Sequence, residues 1–578
     1  MAKYLRILTI YLIVLTCVCV HSKSSFKICV PSQYLKSCQE MANAPTKSKT
    51  QIECVPARDR VDCLNLVQQR QADIVPADPE DMYCATKVQN QDFVVIQEYR
   101  TVEEPDAPFR YEAVIVVHKD LPINNLDQLK GLKSCHTGVN RNVGYKLPHG
   151  KIPAGTAEQD PDGYSYLCVD GSKVSVKDKA CTWAARPWQG LIGHNDVLAQ
   201  LSPLREKIRQ LSQFGATTRP GWFTEVLGLS DKIYHVADNI PIKPMDYLNK
   251  ANYTEVIERG HGPPELIVRL CVTSNVALAK CHMMSVFAFS RDIRPRLDCV
   301  QEASEADCLK SVQDNGSDLA SVDDMRVASA ANKYNLHPVF HEVYGEAKTP
   351  NYAVAVVKKN TQFNNIQDLR GKRSCHNRYG TFSGLDAPLY YLINKKVISS
   401  GQCIKNLADF FSEGSCLPGV DKPENNPRGD DVTRLRKQCT GDDSPLKCLQ
   451  ENRGDVAFVS SADLPSFDAS EYELLCLNRE SGGRDALAQY STCNIAMAPS
   501  RTWMAAKDYL SDVSIAHTPL SLAQLLDTRK DLFNIYGEFL KNNNVIFNNA
   551  ATGLATTEKL DFEKFKQIHD VISNCGVA

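Results

Sequence analysis

Two stretches of this chain read the same way. Ala113 to His136 runs AVIVVHKDLPINNLDQLKGLKSCH, and Ala353 to His376 runs AVAVVKKNTQFNNIQDLRGKRSCH; they align without a gap, and half of their positions are identical. Each opens on a β-branched run with strand character, passes through a polar loop into a short amphipathic helix, and ends on Ser-Cys-His. An internal duplication is expected from this alone, and it sets the architecture before any local detail.

The cysteines repeat with a similar cadence. Cys29, Cys38, Cys54 and Cys63 open the first copy, and Cys271, Cys281, Cys299 and Cys308 open the second with nearly the same spacings. A nested pairing, Cys29–Cys63 with Cys38–Cys54 and Cys271–Cys308 with Cys281–Cys299, would staple each first strand to its neighbouring helix. Four cysteines allow three arrangements, so the spacing leaves the connectivity open. Further on come Cys168 and Cys181, then Cys476 and Cys493, followed by the Ala-x-x-Pro stretches Ala184 to Pro187 and Ala496 to Pro499.

The copies are unequal. His136 and Cys168 are separated by 31 residues, whereas His376 and Cys476 are separated by 99. The longer interval holds Lys447-Cys448-Leu449 and the strand-like Gly454 to Val459, which have no counterpart in the first copy. There, Lys146 to Ser165 is a Gly-, Pro- and Asp-rich run that reads as loop. The sequence then represents an alternative transcript or an imperfect gene model that omits this interval, or else the protein has lost it outright with a change of function.

A chain of 578 residues is too long for one core. Apolar content of 43% and charged content of 23% are those of a soluble globular protein. A net charge of -2 gives no electrostatic case for nucleic acid. Lys3 and Arg6 precede an apolar run from Ile7 to Val20 that ends near Ser22, the pattern of a cleaved signal over residues 1–22. No other segment has the length of a membrane helix, and His569 to Ala578 lacks the apolar tail of a lipid-anchor signal. Without Cys17 and Cys19, 20 of the 22 cysteines remain, an even number suited to an oxidising compartment, none in a paired C-x-x-C zinc arrangement. Asn252 and Asn315 head glycosylation sequons. A secreted, monomeric glycoprotein without a membrane anchor is expected.

The repeated segment, the opening cysteines, GDVAFV at Gly454 to Val459 and YELLCL at Tyr472 to Leu477 resemble the transferrin family, most nearly its insect type. The resemblance covers nearly the whole mature chain. It implies an α/β fold of two homologous lobes, 26–265 and 266–578, each of two periplasmic-binding-protein-like subdomains around a cleft. The first lobe is then truncated around 146–165 and lacks part of its second subdomain. The resemblance also implies the pairs Cys168–Cys181, Cys375–Cys448, Cys403–Cys575, Cys416–Cys439 and Cys476–Cys493, and leaves Cys84 and Cys135 without partners. Its function is that of a carrier, not an enzyme: ferric iron bound with carbonate, transported in a hemolymph-like fluid, withheld from microbes, and handed to a cell-surface receptor of unknown identity.

Ferric ion favours carboxylate and phenolate oxygens, and carbonate suits a helix N-terminus backed by an arginine. Carried over position by position, the resemblance makes Asp78 and Tyr111 metal ligands and Thr137, Arg141, Val143 and Gly144 the carbonate pocket. The family's second tyrosine falls in the missing interval, and its histidine has no match within Val236 to Pro244, where Asp238 and Asn239 stand beside His235. In the second lobe Asp323 keeps the carboxylate, but Asn351 replaces the first tyrosine, with Tyr352 one position late. The second tyrosine's place falls near Asp442, and Asn377 and Thr381 replace the anion-pocket Thr and Arg. Iron binding is therefore expected in the first lobe only. His136, Tyr145 and His376 read as structural. The competing reading is a non-metal extracellular binding module on the same scaffold. No G-x-S-x-G or H-E-x-x-H motif supports an enzyme.

Overall fold

The computed structural model describes residues 25–88, 90–129, 131–133, 162–258, 266–323, 326–345, 350–423, 425, 431–441, 444–498, 500–506, 512–560 and 562–574. They divide into two compact units. The first is Met1–Pro263 with Phe289–Asp292 and Arg529–Asn534, and the second is Pro264–Ala288, Ile293–Thr528 and Ile535–Ala578. The late segment joins the first unit through backbone bonds: the Arg60 amide donates to the Asp531 carbonyl at 2.9 Å, and the Asn534 amide donates to the buried Asp59 carboxylate at 2.9 Å.

Each unit is built on a six-stranded mixed sheet. In the first the order is Ile233–Ile242, Phe93–Thr101, Gln189–His194, Ile74–Ala77, Ser25–Pro31, Gln51–Ala57. In the second it is Ala551–Thr556, Leu336–Tyr344, Thr502–Ala506, Leu319–Val322, Ile267–Val272, Arg296–Gln301. The registers coincide. Ile28 lies opposite Cys54 and Ile74, and Leu270 lies opposite Cys299 and Leu319. Phe26, Ile28 and Val30 share one face of the inner strand Ser25–Pro31 and are all buried, and Cys29 on the opposite face is buried as well, so the strand's second half is covered on both faces. Helix Leu201–Thr218 presents Leu204, Ile208 and Leu211 to that core at helical spacing. Disulfides join Cys29 to Cys63 and Cys38 to Cys54, and likewise Cys271 to Cys308 and Cys281 to Cys299.

The remainder of each unit differs. The second unit adds a seven-stranded sheet ordered Gly414–Cys416, Arg373–His376, Val456–Ser460, Asn351–Lys358, Tyr472–Leu475, Arg484–Asp485, with Ala496–Ala498 also paired to Asn351–Lys358. In the first unit the described residues form only Tyr111–Ala113 paired with Ala184–Arg186, and Ile115–His118 with Tyr164–Leu167 and Lys173–Ser175. What is present keeps register: Ile115 faces Leu167 as Ala355 faces Leu475, and Tyr111 faces Arg186 as Asn351 faces Ala498.

The short amphipathic helix expected after each repeated strand is a single 3-10 turn, Leu126–Leu129 and Ile366–Leu369. Asn365 and Asp368 form a complete capping box around the second, and Gly371, at φ +81°, turns the chain away before another turn is added. Disulfides also join Cys168–Cys181, Cys375–Cys448, Cys416–Cys439 and Cys476–Cys493. Cys403 is disulfide-bonded, while Cys575 and Cys135 lie outside the described residues. Cys84 is a buried free thiol. Among the described residues no helix is long and apolar enough to cross a membrane.

Candidate metal and anion site

Asp78 ends the strand Ile74–Ala77 and caps the helix Pro79–Ala85. Its backbone is extended, its Oδ1 accepts the Asp81 amide at 2.7 Å, and Pro79 supplies the preset φ of a first helical residue. Two more carboxylates follow within the first turn. Asp81 is buried and receives Arg291 at 2.5 Å and Arg60 at 3.2 Å. Glu80 receives both terminal nitrogens of Arg186, one at 2.7 Å, and the Tyr253 hydroxyl at 2.6 Å. Burial works to raise the Glu80 carboxyl, but the charge and hydrogen bonds of Arg186 and the Tyr253 bond outweigh it and hold it near about 2. Asp78 has no such partner. Burial, then the charges of Asp81 and Glu80, push it up to about 6 against the pull of Arg291, whose nearest nitrogen is 3.9 Å away.

Tyr111 begins the strand paired with Ala184–Arg186 and stands directly across from Arg186. The Arg186 to Glu80 bonds thus tie the Tyr111 strand to the turn that Asp78 caps. A cleft of about 450 Å³ opens here, lined by Asp78, Tyr99, Arg110, Arg186, Gln189 and Arg529 among others. Tyr111 follows Arg110 in the chain but is not itself in the lining. The Tyr99 hydroxyl is buried without a hydrogen-bond partner, and burial raises its pKa. Burial and the nearby Arg186 charge lower that of Arg110. Thr137, Arg141, Val143, Gly144, His136 and Tyr145 lie outside the described residues.

The stretch Val236 to Pro244 is occupied structurally. Asp238 accepts Arg209 at 2.7 Å and Gln97 at 2.9 Å, and the Asn239 side-chain amide donates to the Val95 carbonyl at 3.2 Å. His235 is exposed in the edge strand. Among the described residues no group of three or more His, Cys, Asp or Glu side chains converges as a metal cluster.

The second unit fills the matching positions differently. Asp323 accepts Arg501 Nε at 3.1 Å and Nη2 at 3.0 Å. Asn351, at the Tyr111 position, is buried, and its side-chain oxygen accepts Ser460 Oγ at 2.7 Å, Ser461 Oγ at 2.6 Å and the Ala462 amide at 3.2 Å. Thr381 Oγ1 donates to the Arg378 carbonyl at 2.7 Å. Asp442 lies outside the described residues. His376 is buried between Ser374 and the Gly384 carbonyl, and burial lowers its pKa to about 4.

A sequence profile described as Transferrin matches residues 26–159 and 268–571. The chain belongs to the transferrin family. It is 65% identical to a transferrin of Manduca sexta, over 99% of this chain and all of the relative. It is 35% identical to a transferrin of Blaberus discoidalis, over 95% of each chain. A solved structure of transferrin 1 from Manduca sexta superposes with a TM-score of 0.79 at 64% identity, covering 96% of this chain and all of that one. The alignment to the first relative spans 681 positions, more than the 578 residues of this chain, so roughly a hundred of them have no counterpart here. The α/β fold in two lobes is the transferrin fold, and members of this family are carriers without catalytic activity.

Arg186, Glu80 and Tyr253 escaped the reading of the sequence. A signal existed: the two Ala-x-x-Pro stretches differ by Arg186 against Ala498, a charge at a position the repeat otherwise leaves apolar.

Proposed function

We propose that this protein is a secreted carrier of ferric ion that uses carbonate as the accompanying anion and binds in its first lobe only, with withholding of iron from microbes as a consequence. The observation that carries this reading is the contrast at two matched positions. Tyr111 stands where the second lobe has Asn351, whose oxygen is consumed by Ser460, Ser461 and Ala462. Asp78 stands where the second lobe has Asp323, already occupied by Arg501. Phenolate and carboxylate suit a hard trivalent ion. In this reading Asp78 and Tyr111 hold the metal, and Thr137, Arg141, Val143 and Gly144 hold the carbonate. The lobes are 26–265 and 266–578, the leader is removed after residue 22, and Asn252 and Asn315, both exposed, carry glycans.

The first lobe, on this proposal, is truncated around 146–165 and lacks part of its second subdomain. The excess of aligned positions in the Manduca relative favours this. The same loss, together with the engagement of Asp78 as a helix cap, favours a second reading, a non-metal extracellular binding module. Titration with ferric ion and bicarbonate separates the two. The carrier develops a visible phenolate-to-iron band at one equivalent that Tyr111→Phe abolishes and that fades toward mildly acidic pH; a flat spectrum at stoichiometric iron leaves the binding module.

A further inference from the structure

The cleft-facing ends of the two six-stranded sheets have the same backbone and different charges. Pairing partners fix the correspondence: Gly190 lies opposite Ala77 and Glu98, and Thr502 lies opposite Val322 and His341. One residue along, Asp78, Gln189 and Tyr99 of the first lobe therefore match Asp323, Arg501 and Glu342 of the second. A neutral pair in one lobe is a guanidinium and a carboxylate in the other.

Arg501 spends its whole fork on the protein. Nε and Nη2 donate to Asp323, and Nη1 donates to the carbonyls of Asn544 and Ile546 at 3.3 and 3.1 Å. Its own carbonyl accepts the Glu342 amide at 3.0 Å. Glu342 is fully buried, its carboxylate accepting the Asn548 amide and the Tyr344 hydroxyl, both at 2.7 Å. Burial raises the Glu342 carboxyl, and the charge of Arg501 is the largest effect opposing it. A carboxylate at the end of one strand and two loop carbonyls thus bond one fixed positive charge, and a second, buried carboxylate on the neighbouring strand acts on it through its charge, an oxygen-rich setting of the kind that attracts metal cations.

We propose that Arg501 is the second lobe's own cation: it occupies the charge position that a bound metal would otherwise neutralise, and so decides that this cleft takes none. Loss of a phenolate at Asn351 alone weakens a site, whereas a resident guanidinium also repels any incoming cation. The inference rests on the second lobe and is independent of whether the first lobe carries iron.

The test uses the full chain carrying Tyr111→Phe to quiet the first lobe, with terbium(III) as the probe and Trp503, which lines the same cleft, as the sensitising indole. Arg501→Gln should gain tryptophan-sensitised terbium emission at least about threefold above the Arg501 protein, with the gain lost in Arg501→Gln/Asp323→Asn. Arg501→Lys, which keeps the charge, should gain nothing. In thermal unfolding, Arg501→Gln should lower the second-lobe transition by about 5 °C or more, because Glu342 is left buried without a counter-charge. Adding Glu342→Gln should return more than half of that loss. If Arg501→Lys gains as much terbium emission as Arg501→Gln, or the Arg501→Gln/Glu342→Gln protein melts below both single variants, Arg501 is a packing residue and the proposal is overturned. If Arg501→Gln does not fold, the Lys variant decides. A Lys variant that folds and stays dark while Glu342→Gln rescues folding of the Gln variant upholds the proposal, and failure of that rescue overturns it.

Discussion

The six-stranded sheets of the two lobes share strand order, register and disulfides, yet the structure built beyond each sheet does not match. In the second lobe the strand Asn351–Lys358 lies between Val456–Ser460 and Tyr472–Leu475, and its two faces contribute to two large apolar clusters that include Phe458, Phe411, Leu475 and Leu385 on one side and Val354, Leu474 and Tyr472 on the other. In the first lobe, among the described residues, the matching strand Ile115–His118 packs in a cluster of Ile115, Val117, Ile123 and Leu167. A duplicated backbone therefore tolerates unequal outgrowths as long as its own sheet is closed by its own helices. Cleft chemistry follows the same division. The frame is common, while the charges placed on it differ, Asp78–Gln189–Tyr99 against Asp323–Arg501–Glu342.

The largest effects should come from matched core deletions. Leu475 and Leu167 occupy equivalent, fully buried positions. Leu475→Ala should cost toward the upper end of about 2–5 kcal/mol and Leu167→Ala toward the lower end, because among the described residues the Leu167 cluster has fewer members to lose contacts. Denaturant unfolding followed separately in each lobe checks this, and equal costs would remove the contrast between the two subdomains.

Next in size is the ion pair that exists only in the first lobe. Arg186→Ala should destabilise that lobe by about 3–5 kcal/mol, since both partners are largely buried and Glu80 would be left charged beside Asp78 and Asp81. Arg186→Ala/Glu80→Gln should recover a large part, measurable as a coupling in a double-mutant cycle.

A smaller effect has a defined pH sign. Asp78 is held at about 6 in the fold, above its ordinary value of 3.8. A carboxyl raised on folding binds its proton more tightly in the native state, so its penalty is present above about pH 6 and disappears as pH falls toward 4. In the metal-free protein Asp78→Asn keeps the helix cap and removes the charge. It should stabilise the first lobe by about 1–3 kcal/mol at pH 7.5 and by nothing near pH 4. Asp323→Asn should instead destabilise the second lobe at neutral pH, because it strips Arg501 of a partner. The same sign in both lobes would break the comparison.

The smallest effect concerns Cys84. Burial pushes its thiol up to about 11, so thiol labelling at pH 8 should leave Cys84 unmodified in the native protein and label it fully on unfolding, read by mass spectrometry of the Cys84 peptide.

Sequence determined the duplication and the unequal intervals, because strand patterning and cysteine spacing are local and recur in order, and the resemblance to transferrins supplied the two-lobe α/β plan. That resemblance also drew attention to Asp78 and Tyr111, whose neighbours, the Pro79 turn and the Ala113 strand, are recognisable in the sequence. It could not reveal what those side chains meet. That Asp78 is crowded by Glu80 and Asp81, that Arg186 crosses from the Tyr111 strand to Glu80, and that Arg501 sits on Asp323 from 178 residues away were decided by tertiary structure. The reason is physical: a strand's character depends on its own residues, whereas a buried charge is set by whatever the fold brings within a few ångströms of it.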